Sequence, residues 1–457
     1  GGARGQSTSA NAFANIINSF FGSGVLGLPF AFRLAGTATG VAILLLVAVT
    51  ARFCMHILLL CRDRVLALQP HARPPSPAPA AVRVFVGDEE GGGVLLRPPA
   101  AGQEVSSRAG RAPAPEGPPG EASAPGAAQA GGSYGDVGMA AFGRPGRLLV
   151  DGCLLFTQLG FCCVYLIFLG NNLHAIYPFV TAKGYIVLCM GALAVIAWIR
   201  SLKWFSPFSA VAGGSTITGI LLVNLYALFW YEGTAGMDRL PLFVPDTFFI
   251  FFGIATATYE GIGLVIPIQQ SMKEPEKYTT LLNIAFVFVT LFFLWSGLTS
   301  FYCFREETDS IITLNLPNNF FGISVQTVLV CAIFFTYPIQ LFPAVEIAEA
   351  AIFGPDISTS EEDLFSDLGL KRNAVRSLLV ILTGTVALLV PHFGEVIGLI
   401  GSIGASMLAF TLPALFYLRL FRGTISLKEA SLYAGIMAVG ILGGLAAAFN
   451  VIKHGGD

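Results

Sequence analysis

The sequence contains few charged residues for its length. Asp, Glu, Lys and Arg together make up 12% of the 457 residues, whereas soluble globular proteins carry about 25%. So little charge does not cover a water-exposed surface of this size, which argues against a soluble protein. Lys and Arg form no basic stripe, and the formal net charge is −2. A nucleic-acid-binding surface is therefore excluded.

Sequence patterns of catalysis and metal binding are also absent. The H-E-x-x-H, G-x-S-x-G and P-loop motifs do not occur, and each would supply a defined chemistry. The five histidines are scattered, and the eight cysteines show no paired spacing typical of a zinc site or a disulfide framework. We therefore expect no enzyme activity, no metal site and no cofactor.

Long apolar runs dominate what is present. Hydrophobic residues make up 54% of the chain, and a membrane-spanning helix needs roughly 17–25 mostly apolar residues. The runs predict spans at 12–35, 38–61, 148–178, 183–200, 206–230, 245–270, 279–304, 322–348, 374–391, 393–420 and 430–452. No alternation of the barrel type recurs. The chain is therefore predicted to be an all-α polytopic membrane protein with about eleven transmembrane helices.

Lys and Arg are distributed unevenly between the two sets of helix ends. With a cytoplasmic N-terminus, the cytoplasmic ends hold Arg62, Arg64, Arg144, Arg147, Arg200, Lys203, Lys273, Lys277, Lys371, Arg372, Arg376, Arg419, Arg422 and Lys428. The opposite ends hold Arg33, Lys183, Arg239, Arg305 and Lys453. Because positive residues accumulate in cytoplasmic loops, we expect the N-terminus to face the cytosol.

Residues 66–132 differ from the rest in being rich in Pro, Ala and Gly. Such a stretch does not bury a core, and we expect a disordered cytoplasmic loop. The predicted organisation is a cytoplasmic tail at 1–11, two helices within 12–65, this loop, the remaining helices within 133–452 and a lumenal or extracellular tail at 453–457. We interpret the loop as a tolerated insertion, with a regulatory role as the alternative.

The first and sixth predicted helices are interrupted by glycine. Their central glycines are Gly22, Gly24 and Gly27 in the first and Gly253, Gly261 and Gly263 in the sixth. Irregular backbone at membrane depth is tolerated where it lines a cavity or is buried in protein. Breaks five helices apart predict an inverted repeat of five plus five helices, with a binding site where the breaks meet. The alternative is that these glycines only allow close helix packing.

Freed backbone groups at two such breaks suit a zwitterion. Amide N–H groups around Gly22, Ser23 and Gly24, at the positive end of a half-helix, bind a carboxylate. Freed carbonyl groups of the other break bind an ammonium group. Glu260 is the charged residue at the breaks. We therefore expect a small or medium-sized neutral amino acid as the substrate.

Several long motifs occur in order along the chain. They are "NSFFGSGVLGLPFAF", "SYGDVGMAAFG", "FTQLGFCCVYLIFLGNN", "FFGIATATYEGIGLVIPIQQSMKEPEKY", "FFTYPIQLFPAVEI" and "GLIGSIGASMLAFTLPAL". Together they resemble the amino acid/auxin permease family, in its branch of proton-coupled amino acid transporters and plant and fungal vacuolar neutral amino acid exporters. The resemblance implies an eleven-helix, LeuT-like fold, alternating access and proton coupling. It favours a vacuolar or lysosomal membrane, with the plasma membrane as the alternative.

The candidate site combines the two breaks with the third helix. The predicted substrate-binding residues are Gly22, Ser23, Gly24, Val25, Tyr165, Phe252, Gly253, Ile254, Ala255, Thr256 and Tyr259. Glu260 falls on the glutamate of the family's "EGIG" motif and is the predicted proton-coupling group, because removal from water favours the protonated form of a carboxyl group. The alternative is a buried acid satisfied by backbone amides.

Other polar residues leave alternatives open. Asn18 and Thr336 match positions that supply oxygens to a sodium site in sodium-coupled relatives, so sodium-coupled transport is one alternative function. A transporter-like nutrient sensor is another. Glu346 and Glu349 lie near one end of the eighth helix, where we expect a solvated terminus, with a gate or a salt bridge as alternatives. The expected partners are the amino acid and the lipid bilayer, without nucleic acid, and protein partners are left open.

Overall fold

The structure is a computed structural model that describes residues 7–68, 133–200, 206–231, 240–354 and 366–454. Within these ranges regular structure is helical, apart from an isolated bridge between Ser7 and Met272. The helices are α1 (Ser9–Phe20), α2 (Leu28–Ala35), α3 (Thr37–Leu68), α4 (Tyr134–Phe142), α5 (Arg144–Ile176), α6 (Ala182–Ile196), α7 (Ser206–Phe229), α8 (Phe248–Thr258), α9 (Ile262–Ser271), α10 (Tyr278–Phe304), α11 (Phe320–Phe353), α12 (Asp367–Leu389), α13 (Phe393–Leu399), α14 (Leu412–Leu420) and α15 (Leu427–His454). A 3-10 turn, Ser23–Gly27, joins α1 to α2, and two π-helical stretches, Ile400–Ala405 and Met407–Thr411, join α13 to α14.

These helices have the length and hydropathy of membrane spans. In the described ranges nine spans meet that standard, and the pair Ser9–Phe20 and Ser23–Ala35 forms a tenth that is bent by 43°. The short apolar helix α6, of 15 residues, occupies the fourth predicted position. All predicted spans thus correspond to helices, although α12 begins at Asp367 rather than near 374. The prediction of an all-helical polytopic membrane protein is confirmed.

Burial separates central helices from peripheral ones. The most apolar window of Phe248–Ser271 is 83% buried, and that of Phe393–Leu420 is 78% buried. The corresponding window of Leu427–His454 is only 22% buried. The sixth span therefore runs through the middle of the bundle, whereas α15 lies at its edge with most of its apolar surface available to lipid.

Contacts between distant segments define two faces of the bundle. At the face where α1 and α15 begin and α3 ends, Ser7 N–H donates to the Ser271 carbonyl over 2.9 Å. We call this the N face. At the opposite face Arg33 donates to the Thr308 carbonyl, also over 2.9 Å. The predicted orientation would place the N face in the cytosol.

Some predicted boundaries move, and others lie outside the described residues. Helix α1 starts at Ser9, within the predicted tail, because the Thr8 hydroxyl accepts the Asn11 N–H over 3.3 Å and caps the helix. Helix α3 includes 66–68, and α15 continues to His454. The rest of the predicted loop, residues 69–132, lies outside the described part of the chain, as do 1–6, 455–457, Lys203 and Arg239.

Candidate functional site

The first break separates α1 from the helix Ser23–Ala35. Gly22 adopts an extended backbone with φ −93° and ψ −161°, and the chain becomes helical again at Ser23. Every residue of the turn Ser23–Gly27 is buried. The Ser23 hydroxyl group is fully buried and has no hydrogen-bond partner in the described residues. The break thus places a hydroxyl group without a hydrogen-bond partner in the described residues inside the bundle.

The second break separates α8 from α9 at residues 259–261. Gly261 lies just before α9, and Glu260 precedes it with only 9% of its surface exposed. One oxygen of Glu260, Oε1, is buried and has no hydrogen-bond partner among the described residues. The predicted alternative of a fully satisfied buried acid therefore does not describe this oxygen.

The two breaks adjoin in the centre of the bundle. A Cβ atom at Gly24 would lie 2.8 Å from Thr258 Cα, at the end of α8. Side chains do not tolerate that distance, so glycine permits this close backbone approach. At the start of α9, a Cβ atom at Gly261 would lie 3.3 Å from Ser19 Oγ on α1. The structure therefore brings both interrupted segments together, as predicted.

Tyr165 reaches the first break from α5. A Cβ atom at Gly22 would lie 3.5 Å from the Tyr165 hydroxyl group, and Tyr165 is only 3% exposed. Of the remaining predicted residues, Val25 is buried within the 3-10 turn. Thr256 donates its hydroxyl proton to the Phe252 carbonyl over 2.7 Å. That threonine therefore offers only lone pairs to any further partner.

Tyr259, unlike Tyr165, has a hydrogen-bond partner for its hydroxyl group among the described residues. Its hydroxyl group donates to Thr290 Oγ1 on α10 over 2.9 Å, and its ring stacks on Phe286 with centroids 5.8 Å apart. A further edge contact joins the ring to Phe20. This arrangement gives Tyr259 a packing function between α1, α8 and α10.

The predicted pocket residues at 252–256 lie on a continuous helix rather than at the break. A Cβ atom at Gly253 would lie 2.5 Å from the Gly398 carbonyl oxygen, so this glycine serves close packing. Phe252 contacts the Phe410 ring at 6.1 Å. Ile254 lies against Gly27, and Ala255 is fully buried. For Gly253, the alternative that glycine only allows close helix packing describes the structure better than a role in a helix break.

Sequence reasoning missed the π-helical stretches opposite α8. The stretch Ile400–Ala405 is so close to α8 that a Cβ atom at Gly401 would overlap the Gly253 carbonyl. A second stretch, Met407–Thr411, follows, and Thr411 Oγ1 is buried without a partner in the described residues. Because π-helical turns occur frequently at functional sites, this segment belongs to the candidate site. The only signal in the sequence is its repeated small residues.

The two predicted sodium ligands occupy different helices. The carboxamide of Asn18 lies against Gly213 on α7. The Thr336 hydroxyl on α11 donates to the Ala332 carbonyl over 2.8 Å. No hydrogen bond joins Asn18 to Thr336 in the described part of the chain. In the same residues no group of three or more His, Cys, Asp or Glu side chains is arranged for a metal ion.

The expectation of a solvated helix end at Glu349 is wrong. Glu349 is 6% exposed, and its carboxylate pairs with Arg372 Nη2 and Arg376 Nε, each over 2.7 Å. Arg376 also donates to the Ala197 and Ile199 carbonyls beyond the end of α6, over 3.0 and 3.1 Å. A buried ion cluster therefore ties α6, α11 and α12 together near the N face.

The model of the family "Transmembrane amino acid transporter protein" matches residues 5–73 and 125–453. Amino acid transporter ANT1 of Arabidopsis thaliana is 28% identical over 98% of this chain and 93% of its own length. Vacuolar amino acid transporter 3 of Schizosaccharomyces pombe is 26% identical over 90% of this chain and 53% of its own.

Similarity to a solved structure spans most of the chain. The structure of a Na⁺-coupled sialic acid symporter in its substrate-bound outward-open state aligns with 97% of this chain and 95% of its own, with a TM-score of 0.43 and 12% identity. The family model matches most of the chain, including both interrupted segments. The chain belongs to the transmembrane amino acid transporter protein family.

Proposed function

We propose that this protein is a secondary active transporter that moves small neutral amino acids across a membrane by alternating access, coupled to protons. One observation carries the proposal: Ser23 and Glu260, on two adjoining breaks, present buried oxygens that have no partner in the described residues. Burying a polar group without a hydrogen bond costs free energy. A partner that enters and leaves the site would satisfy these groups in one part of a transport cycle.

The first break is suited to the carboxylate of an amino acid. The N–H groups of the first turn of Ser23–Ala35 lack partners within their own helix, and the helix dipole favours negative charge there. The Ser23 hydroxyl group can donate to the same carboxylate, and the Tyr165 hydroxyl lies beside Gly22. This combination supports recognition of the part that all amino acids share.

The second break is suited to a positive charge, either an ammonium group or a proton. Glu260 offers the unpartnered oxygen, and the carbonyl groups that end α8 lie beside it. In proton-coupled symport, a proton on Glu260 would neutralise the carboxylate while the amino acid is carried across. Its release on the other side would leave Glu260 charged while the empty site returns. Because Glu260 is the charged residue at the breaks, a substrate of net charge zero is favoured over a cation or a dianion.

A vacuolar or other acidic compartment would supply the proton gradient. Support comes from the similarity to vacuolar amino acid transporter 3 and from the excess of Lys and Arg at the N face, which favours a cytoplasmic N-terminus. In this orientation protons and amino acids would move together from the acidic lumen to the cytosol.

Uptake of labelled alanine into proteoliposomes tests the proposal. The purified protein is reconstituted in sodium-free buffer, an acid-outside gradient is imposed, and a proton ionophore serves as the control. We expect accumulation that the ionophore abolishes. Accumulation that requires sodium instead would favour sodium-coupled transport, with Asn18 and Thr336 as the candidate ligands. Alanine binding without transport under either gradient would favour a sensor.

A further inference from the structure

Arg52 is an unexpected cation inside the second span. It lies near the middle of α3, which runs from Thr37 to Leu68, and it is partly exposed on the surface of the bundle. A charged residue within the hydrocarbon region is costly and usually serves a binding or transport function. The span is strongly apolar on average despite this arginine. Arg52 is not among the residues of the candidate site at the two breaks.

The recorded partner of Arg52 is neutral. Arg52 Nη1 donates to Asn283 Oδ1 on α10 over 2.8 Å, and His56 Nε2 lies 3.0 Å from the same oxygen. In the described part of the chain no carboxylate forms an ion pair with Arg52. One guanidinium charge therefore has no counter-charge among the described residues.

Beside Arg52 a groove of about 680 Å³ opens between α3 and α15. Small-molecule sites typically measure about 300–1,000 Å³. Besides Arg52 its walls are mainly apolar, with Leu46, Val49 and Phe53 on α3 and Leu432, Gly435 and Val439 on α15. Both helices contribute exposed side chains to the outer surface of the bundle. The groove thus opens on the outer surface of the bundle, and Arg52 lies in its wall.

The groove lies close to the end of α15 at the N face. Phe53 stacks on Tyr433 with ring centroids 6.0 Å apart, which fixes the level of Arg52 relative to α15. Tyr433 lies six residues beyond Leu427, the start of α15 at the N face, or about 9 Å along the helix axis. A long arginine side chain at this depth can reach toward a headgroup.

We propose that this groove binds an anionic phospholipid from the leaflet at the N face. The phosphate group would lie against Arg52 and supply its missing counter-charge, and an acyl chain would lie along the apolar walls. Basic pockets between membrane helices bind anionic headgroups in this way. A second copy of the chain packed symmetrically on the same face would set Arg52 against another Arg52, so charge complementarity favours the lipid.

Two variants separate the charge from the shape of the groove. Arg52→Gln removes the charge but retains a donor for Asn283. Gly435→Leu fills the slot, because a Cβ atom at Gly435 has no atom within 4 Å. The matched controls are Gly191→Leu on α6, where the added atom is equally free, and Arg422→Gln, which removes an exposed cation at the N face.

The measurement is native mass spectrometry of the full chain in detergent with added phosphatidylinositol or phosphatidylcholine. We expect wild type and both controls to retain phosphatidylinositol preferentially. Arg52→Gln should reduce that preference about fivefold, the effect of one cation at an anionic surface, and Gly435→Leu should reduce binding of both lipids. Thermal unfolding midpoints identify any variant that fails to fold.

Equal retention of phosphatidylinositol by wild type, Arg52→Gln and Gly435→Leu would overturn the proposal. Unchanged preference in Arg52→Gln with reduced binding in Gly435→Leu would overturn the assignment of Arg52 to the phosphate. A dimer of the wild type that Gly435→Leu converts to a monomer would assign the groove to a second copy instead. None of these results depends on transport of amino acids.

Discussion

Two buried carboxylates in this protein have opposite surroundings. Glu349 and Glu260 are exposed to a similar extent, 6% and 9%. Glu349 pairs with Arg372 and Arg376 through both of its oxygens. Glu260 lies at a helix break, and its Oε1 has no partner in the described residues. Burial alone therefore does not decide whether a carboxylate is paired.

The difference lies in what each carboxylate can still do. Both oxygens of Glu349 are paired with buried arginines, so loss of this carboxylate breaks two buried ion pairs. Glu260 can gain or lose a proton, or bind a substrate ammonium group, without breaking an existing contact of Oε1. The cluster holds three helices together, whereas Oε1 of Glu260 at the break has no hydrogen-bond partner in the described residues.

Removing the fixed carboxylate should have the largest effect on stability. Glu349→Gln breaks the two buried ion pairs that this carboxylate forms with Arg372 and Arg376. We expect the free energy of unfolding to fall by about 3–5 kcal/mol, measured by denaturant unfolding of the purified protein in detergent. The control is Glu274→Gln, which breaks an exposed pair with Lys277 at 2.6 Å that is worth about 0–1 kcal/mol. Equal losses in both variants would mean that the cluster does not stabilise the fold.

Removing the unpartnered carboxylate should affect coupling instead. Glu260→Gln keeps the shape of the side chain but cannot carry a proton, and it strands no partner of Oε1. We expect the free energy of unfolding to change by less than about 1 kcal/mol, while alanine accumulation driven by a pH gradient is lost and exchange of alanine across the membrane persists.

The matched control for this variant is Glu276→Gln, which removes an exposed carboxylate at the N face. It should accumulate alanine like the wild type. Accumulation by Glu260→Gln at the wild-type rate would remove Glu260 from the coupling mechanism and weaken the comparison with Glu349.

The smallest expected effects separate two buried tyrosines. Tyr259→Phe deletes a hydrogen bond to Thr290, and we expect the free energy of unfolding to fall by about 0.5–1.5 kcal/mol with no change in KM for alanine. Tyr165→Phe deletes a hydroxyl group beside Gly22. We expect it to raise KM about threefold to tenfold, the value of one hydrogen bond, with little change in stability. The reverse pattern would exchange the two assignments.

Periodic and compositional features of the sequence predicted the fold well. The spans appeared as long apolar runs, and the break in the first span coincides with the predicted Gly22-Ser23-Gly24. Membership in the transporter family also confirms the prediction that this protein is not an enzyme. These features are local, so a single stretch of sequence carries enough information to identify each of them.

Features that depend on distant residues were not predictable. Gly253 and Gly261 look alike in the sequence, but Gly253 packs against Gly398 and Gly261 lies at the break. The charge distribution predicts Arg372 and Arg376 only as residues at the cytoplasmic ends of helices, and it does not reveal that both are buried beside Glu349. Only the packing of the helices decides between these alternatives.

The π-helical segment between α13 and α14 has a consequence for the evolution of this chain. A π-helical turn contains more residues than an α-helical turn, because each hydrogen bond spans five residues rather than four. Loss of one residue within Ile400–Ala405 or Met407–Thr411 can therefore be absorbed locally by a return to α-helical bonding. Elsewhere in a central helix the same loss would rotate every following side chain by about 100°. We expect single-residue gaps among relatives to concentrate in this segment, where the length of the chain can vary while the helices around it keep their register.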